Sequence, residues 1–510
     1  MRSYRTLKLI SLVLVMTLCG CRVGPKYAPP APPTPAPAYK EATPNAYKSV
    51  LPGAWQPALP QDAQLKGKWW EMFGEPELNA LEEQLNIDNQ NIAQFFQNFM
   101  AARAQVGEAR SQYYPTVSAD PSITESHGGG FITSTTAGGA AGVTTTSAAT
   151  VTNITLPIDA SWAPDLWGRV RNLVRQAQYA AQVSAADLEN ERLTEQAALA
   201  EFYFQLRGQD TLQDIYNKTI EADKISLDLT RALVQTGIDS PEAEAQAEVI
   251  LRNAEEAGAG VATNRAIFEH AIAMLIGKPA SSFSMPVKYL TTPVPAIPVG
   301  IPSELLQRRP DIAAAERTMA EANALIGVEK AAYYPTVNLT ASAGMADSVL
   351  HSMFELPTLF WAVGQSATQI IFDGGLRRST MKQFTAQYNA DAAAYKQTVL
   401  TAFQQVEDFI ATLRTTSDQI TREDLGIEAA QRNLKISTAR YETGLDPYLN
   451  VMAAKLILLN NQLTEINLRV SEMTAAVQLI QALGGGWKSS ELPTPSQVTS
   501  KKAAADLAPH

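Results

Sequence analysis

Two very long stretches without proline constrain this chain more than any other feature. They run from residue 168 to 236 and from 374 to 443, and both are rich in alanine and glutamine. About 69 residues at ~1.5 Å each make a helix of roughly 100 Å. In the second stretch the apolar residues recur in steps of four and three, close to the period of a left-handed coiled coil. Helices of this length exclude a fold built around one compact core.

The two long stretches belong to an internal repeat. Three motifs occur twice: YYPTV at 113–117 and 333–337, DLWGR at 165–169 echoed by DGGLR at 373–377, and TGID at 236–239 echoed by TGLD at 443–446. The copies are spaced further apart at the first motif than at the other two. We therefore interpret the chain as one duplicated unit with an insertion in the first copy. That insertion falls at 121–150, where the Gly, Ser, Thr and Ala composition suggests a surface loop.

Each repeated motif predicts a structural junction. The proline of YYPTV ends a helix and favours extended backbone before it, so a strand begins there. Asp165 and Asp373 are suited to capping the long helices that follow. In the third motif a glycine suited to a left-handed C-cap is followed, within a few residues, by a proline that opens the next helix. This pattern predicts the tips of two tight helical hairpins.

Four runs of sequence have the alternation of half-buried strands. It is clear at 154–162 and 337–345, weaker at 117–123 and least regular at 359–372. Runs of about ten residues suit tilted transmembrane strands, but strands of a soluble sandwich alternate in the same way. Four strands cannot close a barrel, and an open edge cannot face lipid. The chain must therefore oligomerise to enter a membrane, although the strand count does not fix the number of copies.

Shorter helical stretches flank the long ones at 78–112, 241–277, 303–333 and 447–483. Two of these shorter stretches placed end to end have about the length of one long helix. The chain thus offers two long helices and two stacked pairs, which makes four helical columns beside four strands. The proline-rich segment 279–302 reads as an irregular connector halfway down the columns, where the short helices meet.

The N-terminus has the pattern of a signal peptide. Basic residues precede an apolar run from 9 to 18, and Cys21 follows small residues. A run of about ten apolar residues is too short to span a membrane. The pattern resembles a lipoprotein cleavage box, which would make Cys21 the first mature residue and the site of acylation, with palmitate among its acyl chains. An ordinary signal peptide with a chance cysteine is the alternative. Cleavage would remove Cys19, which leaves no internal disulfide.

Several function classes find no support. The net charge of -10 argues against nucleic acid as a partner. The four histidines show no HExxH or other metal spacing, and neither a G-x-S-x-G motif nor a P-loop is present. We therefore predict no enzymatic activity, no cofactor and no metal. The pair Trp69 and Trp70 is better explained by packing or by a membrane-interface belt than by a ligand platform.

Four segments together resemble the outer-membrane factor family of the TolC/OprM type, in its NodT-like lipoprotein branch. They are CRVGPKY at 21–27, WWEMFGEPEL at 69–78, SWAPDLWGRVR at 161–171 and RYETGLDPYLNV at 440–451. The resemblance covers nearly the whole chain after residue 20. It implies a mainly α fold with transmembrane β: a long α-helical barrel continuous with a 12-strand β-barrel, formed by a homotrimer with four strands per chain and an internal structural duplication.

The resemblance also implies a function. Members are outer-membrane channels of tripartite efflux systems, which passively conduct drugs and other small molecules to the exterior. The expected partners are two further copies, a periplasmic membrane-fusion adaptor, an inner-membrane RND-type pump and outer-membrane lipid. The expected location is the outer membrane, with a lipid anchor and an extension into the periplasm. A type I protein-secretion duct and a surface-anchored coiled-coil structural lipoprotein remain as alternatives.

The family pattern places a closed periplasmic aperture at the second hairpin tip. The corresponding gate positions are Arg440, Tyr441, Leu445, Asp446 and Leu449, and Asp239 from the first tip is a further candidate to line the mouth. The expected adaptor-contacting positions are Thr236, Gly237, Ile238, Thr443 and Gly444. Members often carry an aspartate where 451–455 has none, so an acidic ring there is in doubt. For Asp239 and Asp446, plain helix capping is the alternative to lining the mouth.

These observations predict six regions along the chain. They are a signal peptide at 1–20, a lipidated tether and equatorial segment at 21–77, a first efflux repeat at 78–278, an equatorial connector at 279–302, a second repeat at 303–486 and a flexible tail at 487–510.

Overall fold

The protein is described by a computed structural model. It covers residues 23–41, 67–129, 132–137, 140–145, 149–299 and 302–499. The predicted signal peptide, Cys21 and the last residues of the predicted tail lie outside the described residues. The chain divides into two compact units: the first comprises 1–28, 103–179 and 320–390, and the second comprises 29–102, 180–319 and 391–510.

The structure is mainly helical, as predicted. The helices are α1 (Pro76–Asp88), α2 (Gln90–Ser111), α3 (Arg169–Gln235), α4 (Pro241–Leu275), α5 (Leu305–Arg308), α6 (Pro310–Ala331), α7 (Leu376–Glu442) and α8 (Tyr448–Ala482). Both α3 and α7 have 67 residues, and both α4 and α8 have 35. The two predicted long helices are therefore confirmed, with ends within two residues of those expected. No helix in the described part of the chain is long and apolar enough to cross a membrane.

The predicted capping of the long helices is also confirmed. Asp165 accepts hydrogen bonds from the amides of Val170 and Arg171, at 3.1 and 3.0 Å, in the first turn of α3. Asp373 accepts from the amide of Arg377, at 3.3 Å, in the first turn of α7. These amides have no partner within the helix, so the carboxylates satisfy groups that would otherwise need water.

Two of the shorter helices differ from the prediction because each is interrupted. The stretch 78–112 breaks at Asn89, whose backbone is extended, and whose side chain donates to the carbonyl of Leu275 at 2.9 Å. The stretch 303–333 breaks at Arg309, which donates to the carbonyl of Ala482 at 3.0 Å. In both halves of the chain, the break therefore contacts the last residue of a 35-residue helix. The side chain supplies a hydrogen bond that the end of the helix lacks.

The larger sheet lies in the first unit and is antiparallel. Its strands are β1 (Thr116–Ala119), β2 (Ser122–Gly128), β5 (Ala149–Trp162), β6 (Thr336–Asp347) and β7 (Leu359–Thr368). Both β1 and β2 pair with β5 in one register and are separated only by Asp120 and Pro121. They therefore act as one interrupted strand, and the order is β1/β2, β5, β6, β7. The four predicted strand positions are all present.

The segment 121–150 is not only a loop, so that interpretation was wrong. It contains β2 and a separate hairpin of β3 (Ile132–Ala137) and β4 (Ala140–Thr145). Threonine, valine and isoleucine favour extended backbone. The glycines and serines between them hid this preference in the composition.

The register gives the larger sheet two chemically different faces. Ile158, Ala343 and Trp361 lie opposite one another across β5, β6 and β7 on one face. Their neighbours in sequence, such as Asp159 and Ser342, form a mainly polar second face. On the apolar face Trp361 is 75% exposed and Ile158 is 56% exposed. The described residues of this chain therefore leave these side chains of the apolar face exposed.

The main core lies in the second unit. It joins α1 and α2 to the middle of α3 and α7 and to the C-terminal ends of α4 and α8. Trp69 and Trp70 are 1% and 3% exposed, and Phe73 lies 4.9 Å from Phe204 between ring centroids. The two tryptophans are thus packing residues, as the sequence favoured. We call this region the belt.

Candidate functional site at the helical hairpin tips

The first hairpin tip joins α3 to α4 through five residues. Gly237 has a φ of +75°, which an L-residue rarely adopts, and the amide of Ile238 donates to the carbonyl of Leu233 at 2.9 Å. Thr236 closes the last turn by donating its hydroxyl to the carbonyl of Leu233 at 2.9 Å. Ser240 then caps α4. The predicted adaptor-contacting residues therefore form a closed turn, and Ile238 is 74% exposed.

The second hairpin tip joins α7 to α8 in the same manner. Gly444 has a φ of +72°, and the amide of Leu445 donates to the carbonyl of Arg440 at 2.9 Å. Thr443 donates its hydroxyl to the carbonyl of Arg440 at 3.0 Å. Leu445 and Leu449 are 69% and 55% exposed. Both tips thus present an apolar side chain outside a rigid turn.

The two tips are joined by a hydrogen bond between Tyr441 and Asp239. The Tyr441 hydroxyl donates to a carboxylate oxygen of Asp239 at 2.7 Å. The other oxygen of Asp239 accepts from the amide of Ser240 at 2.8 Å. Burial, followed by the bond to Asp239, raises the pKa of Tyr441 to about 12. The hydroxyl therefore keeps its proton at physiological pH, and the bond persists.

An ion pair within the second tip holds Arg440 against Asp446. The guanidinium donates from two nitrogens to the two carboxylate oxygens, at 2.5 and 3.0 Å. This bidentate geometry is the strongest that such a pair can adopt. The hydrogen bond from Arg440 lowers the pKa of Asp446. The residues lie on opposite sides of the turn, so the pair ties the end of α7 to the start of α8.

The interpretation of Asp239 and Asp446 as plain helix caps was wrong. The residue that caps α4 is Ser240, whose hydroxyl accepts from the amide of Ala243 at 3.3 Å. The cap position of α8 is Pro447, with no side-chain hydrogen bond. Each aspartate is instead bound to a side chain at the end of α7. Both therefore act as links within and between the tips.

A small apolar cluster lies behind these polar links. Its buried members are Leu227, Ala243, Ala247, Leu251, Tyr448 and Val451. Tyr441 packs against it, with its ring centroid 5.2 Å from that of Tyr448. The same tyrosine thus closes the apolar cluster and makes the hydrogen bond between tips.

Sequence reasoning missed a second link between the hairpins. Lys455 lies in the segment that lacks the aspartate often found in the family. Its ammonium group contacts a carboxylate oxygen of Asp223 at 2.9 Å and the hydroxyl of Ser226 at 2.8 Å. The Asp223 side chain is 4% exposed. Helical spacing put Asp223 and Ser226 near one another, but nothing in the sequence joined them to residue 455.

A buried charge network in the belt was also missed. Arg207 is 2% exposed and donates to Asp210 at 3.0 Å, to Glu77 at 2.6 Å and to the carbonyl of Pro286 at 2.7 Å. Arg265 contacts the other oxygen of Asp210 at 2.6 Å. These bonds hold the proline-rich connector against α3 and α4. The only sequence signal was a set of charged residues on otherwise apolar helix faces.

Across the described ranges, no group of three or more His, Cys, Asp or Glu side chains is placed to hold a metal ion. The tips contain hydrogen-bonded links and apolar contacts.

Comparison with known proteins gives the family. The model of the outer membrane efflux protein family matches residues 81–278 and 301–485. The probable efflux pump outer membrane protein TtgC of Pseudomonas putida is 29% identical over 490 residues, which cover 94% of this chain and 96% of that protein. The outer membrane protein OprJ of Pseudomonas aeruginosa is 28% identical over 497 residues, covering 94% and 95%.

Solved structures agree. The outer-membrane channel OprN superposes with a TM-score of 0.80 at 25% identity, covering 92% of this chain and all of that one. The CmeC outer membrane channel of Campylobacter jejuni also gives 0.80, at 20% identity, covering 95% and 98%. At 20% identity, the similarity to CmeC shows a shared fold and nothing further.

The fold is that of an outer-membrane channel. The chain belongs to the outer membrane efflux protein family, and the resemblance inferred from the sequence is confirmed. It is an efflux protein of the outer membrane, in a family of channels rather than of enzymes.

Proposed function

We propose that three copies of this chain form a passive duct for small molecules, anchored in the outer membrane and extended into the periplasm. The observation that carries the proposal is the larger sheet, which has one apolar face, one polar face and two unpaired edges, β1/β2 and β7. An unpaired edge is costly in lipid. Because β7 runs antiparallel to β1, the edge of one copy fits the opposite edge of the next. Three copies then give a twelve-strand barrel.

The helices extend this wall in the same proposal. Each copy supplies α3, α7 and the two pairs of shorter helices, so three copies give a twelve-helix tube. The corresponding breaks at Asn89 and Arg309 support the duplication and its two efflux repeats, 78–278 and 303–486. The segment 279–302 is then an equatorial connector, and 487–510 is a tail. The signal peptide at 1–20 and a lipidated tether at 21–77 complete the assignment, with Cys21 as the acylated residue.

The tips form the gate in this account. The polar links Tyr441–Asp239 and Lys455–Asp223 hold the two hairpins together in the closed state, and the Arg440–Asp446 pair ties the two helices of the second tip. Opening of the gate breaks these hydrogen bonds and ion pairs and forms other contacts. A periplasmic membrane-fusion adaptor favours the open state if it binds that state more tightly, because a ligand shifts an equilibrium only by its differential affinity. The exposed turns at Ile238 and Leu445 are suited to that contact.

The names of the relatives support the wider assembly. TtgC is named as an efflux pump protein, and related proteins are named for toluene or antibiotic efflux. We infer that this chain likewise serves a tripartite pump of the RND type. It supplies no energy and catalyses no reaction; the pump drives transport.

A structural stalk lipoprotein is a poorer explanation. A stalk explains long helices and an acylated cysteine, but it has no use for a sheet with an uncovered apolar face. A type I protein-secretion duct would share the whole architecture. It would differ in the adaptor captured from the periplasm, which a cross-linking pull-down from the native cell identifies.

Single-channel conductance in planar bilayers tests the duct and its gate. Tyr441→Ala loosens the tip cluster and removes its link to Asp239, and Leu449→Ala removes an exposed apolar side chain of the second tip, so we expect the double variant to conduct more than the parent. The matched control is Ile267→Ala with Tyr289→Ala, which removes two exposed side chains away from the tips. The control should conduct like the parent. Equal conductance in all three proteins would refute the gate assignment, and no conductance in any would refute the duct.

A further inference from the structure

A groove on the apolar face of the larger sheet is not accounted for by conduction. Its volume is about 420 Å³, and it lies at the end of the sheet where the strands join the helices. Its walls include Trp162, Leu339, Val363 and Gln365, and Ala160 and Ala341 form its floor. All of these side chains belong to the apolar face according to the strand register.

The groove exists because small side chains stand between rows of large ones. Ala160 pairs directly with Ala341, and Ala341 pairs with Val363. The next row towards the helices contains Trp162 opposite Leu339, and the next row away from them contains Ile158 and Trp361. The Trp162 indole donates to the carbonyl of Tyr113 at 3.0 Å, which fixes one wall. The slot is thus a built feature that suits a narrow apolar chain.

The first described residues are held at the same end of the sheet. The amide of Val23 donates to the carbonyl of Trp167 at 3.1 Å, and the Asn172 side chain donates to the carbonyl of Val23 at 3.1 Å. Gly24 approaches Gly327 so closely that an added Cβ would lie 3.0 Å from its Cα. Val23 is therefore fixed rather than free to swing around the helices.

Distances along the chain bring the acylation site within reach of the groove. Cys21 precedes Val23 by two residues, which span at most about 7 Å. The Trp167 indole donates to the carbonyl of Pro335 at 2.8 Å. From Pro335, strand β6 needs only four residues, about 13 Å, to reach Leu339 in the groove. A long acyl chain attached at Cys21 can cover that distance.

We propose that the groove binds a fatty acyl chain attached to Cys21 of the same polypeptide. The inference rests on the proposed lipid anchor and adds a defined binding site for it. Surrounding lipid is as apolar as the groove, so the gain comes from close packing rather than from leaving water. The bound chain would fix the anchor at one position beside the sheet. Bulk lipid is the competing occupant.

Photo-crosslinking tests the site in the full chain. Cells expressing the protein are fed a palmitate analogue that carries a diazirine, and the purified protein is irradiated and mapped by mass spectrometry. We expect the peptide that begins at Cys21 to be joined to peptides containing Ala160, Ala341 or Val363. Cross-links spread evenly over the apolar face, including the row of Ile158 and Trp361, would overturn the proposal.

Two alanine variants give a matched comparison on one strand and one face. Ala341→Phe fills the floor of the groove and should abolish the cross-link to the Cys21 peptide. Ala343→Phe adds the same ring one row further from the helices and should keep it. The oligomeric band on a gel shows that each variant has assembled. An undiminished cross-link in assembled Ala341→Phe protein would contradict the site.

A Cys21→Ser variant with an ordinary cleavable signal sequence identifies the source of the acyl chain. In this variant the groove should no longer be cross-linked, because only phospholipid then carries the diazirine. Labelling at the parental yield would assign the groove to bulk lipid and overturn the proposal. Absence of an acyl group on Cys21 in the parent, seen by intact mass, would also overturn it. Bilayer conductance separates both failures from a failure of the duct, since neither requires a change in conductance.

Discussion

The belt and the hairpin tips occur on the same helices but are held together in different ways. In the belt, aromatic side chains such as Trp69 and Tyr203 are buried, and the charges of Arg207 and Asp210 are almost fully enclosed. At the tips only six residues are buried in the apolar cluster, and the Arg440 side chain is 52% exposed. Local stability follows buried apolar contact. The comparison therefore predicts that the tips open while the belt stays intact.

Removing the buried arginine of the belt should have the largest effect. Arg207→Ala leaves Glu77 and the carbonyl of Pro286 without their partner and leaves Asp210 with one fewer. Breaking a buried ion pair costs about 3–5 kcal/mol. We expect a corresponding loss of thermal stability, measured by calorimetry. Arg252→Ala, which removes an exposed pair with Glu255, is the control and should change nothing measurable. Equal losses of thermal stability in Arg207→Ala and Arg252→Ala would contradict a stabilising role of the buried charge network in the belt.

Two glycines compare belt and tip directly. Gly484 and Gly444 both have a positive φ, so alanine strains either backbone. An added Cβ at Gly484 would lie 2.0 Å from the carbonyl oxygen of Arg308, whereas nothing lies within 4 Å at Gly444. We expect Gly444→Ala to cost about 1 kcal/mol from strain alone and Gly484→Ala to cost roughly 2–4 kcal/mol. Calorimetry measures the loss of stability in each variant. Similar losses in the two variants would contradict the expected difference between belt and tip.

The link between the tips should affect gating more than stability. Tyr441→Phe keeps the ring against Tyr448 and removes the hydroxyl that donates to Asp239. A hydrogen bond to a charged group contributes about 1.5–3 kcal/mol, and less where water can replace it. We expect higher bilayer conductance with a small change in thermal stability. Tyr448→Phe is the control, because it leaves the donor of this link in place. A large stability loss in Tyr441→Phe with unchanged conductance would contradict the assignment.

Acid should loosen the second tip, with the smallest effect of the four because the pair is exposed and screened. The ion pair with Arg440 holds the pKa of Asp446 below its usual value of 3.8. The folded tip therefore favours the carboxylate, and this stabilisation is present above about pH 4 and lost as the pH falls further. Conductance of the parent should rise in that range. The Asp446→Asn variant should lack the rise in conductance that comes from this ion pair. An identical rise at acid pH in parent and variant would show that the Arg440–Asp446 pair is not its cause.

The helices, tips and strands that depend on a local pattern of residues could be predicted from the sequence. Proline-free stretches gave α3 and α7 almost to the residue, and the repeated glycine motifs gave both tips. Alternation gave the four strand positions of the larger sheet. These features depend on backbone propensity and on periodicity, which a single sequence displays.

Features that depend on distant partners could not be predicted. Asn89 breaks a helix because it contacts Leu275, and Tyr441 meets Asp239 across 202 positions. Arg207 is tolerated in the belt because Asp210 lies three residues further along α3, while Glu77 comes from α1 and the carbonyl of Pro286 comes from the proline-rich connector. The resemblance pointed to Tyr441 as a gate position, and Asp239 was a candidate to line the mouth, but the bond between them came from the structure. The hairpin of β3 and β4 was hidden by a composition typical of loops.

In the proposed trimer, other copies of this chain close the open edges of the larger sheet. Native mass spectrometry of the protein extracted from outer membranes in mild detergent tests it most directly. We expect one species with the mass of three acylated copies, which persists until the detergent is changed to a denaturing one. A stable monomer that remains in solution without detergent would contradict it.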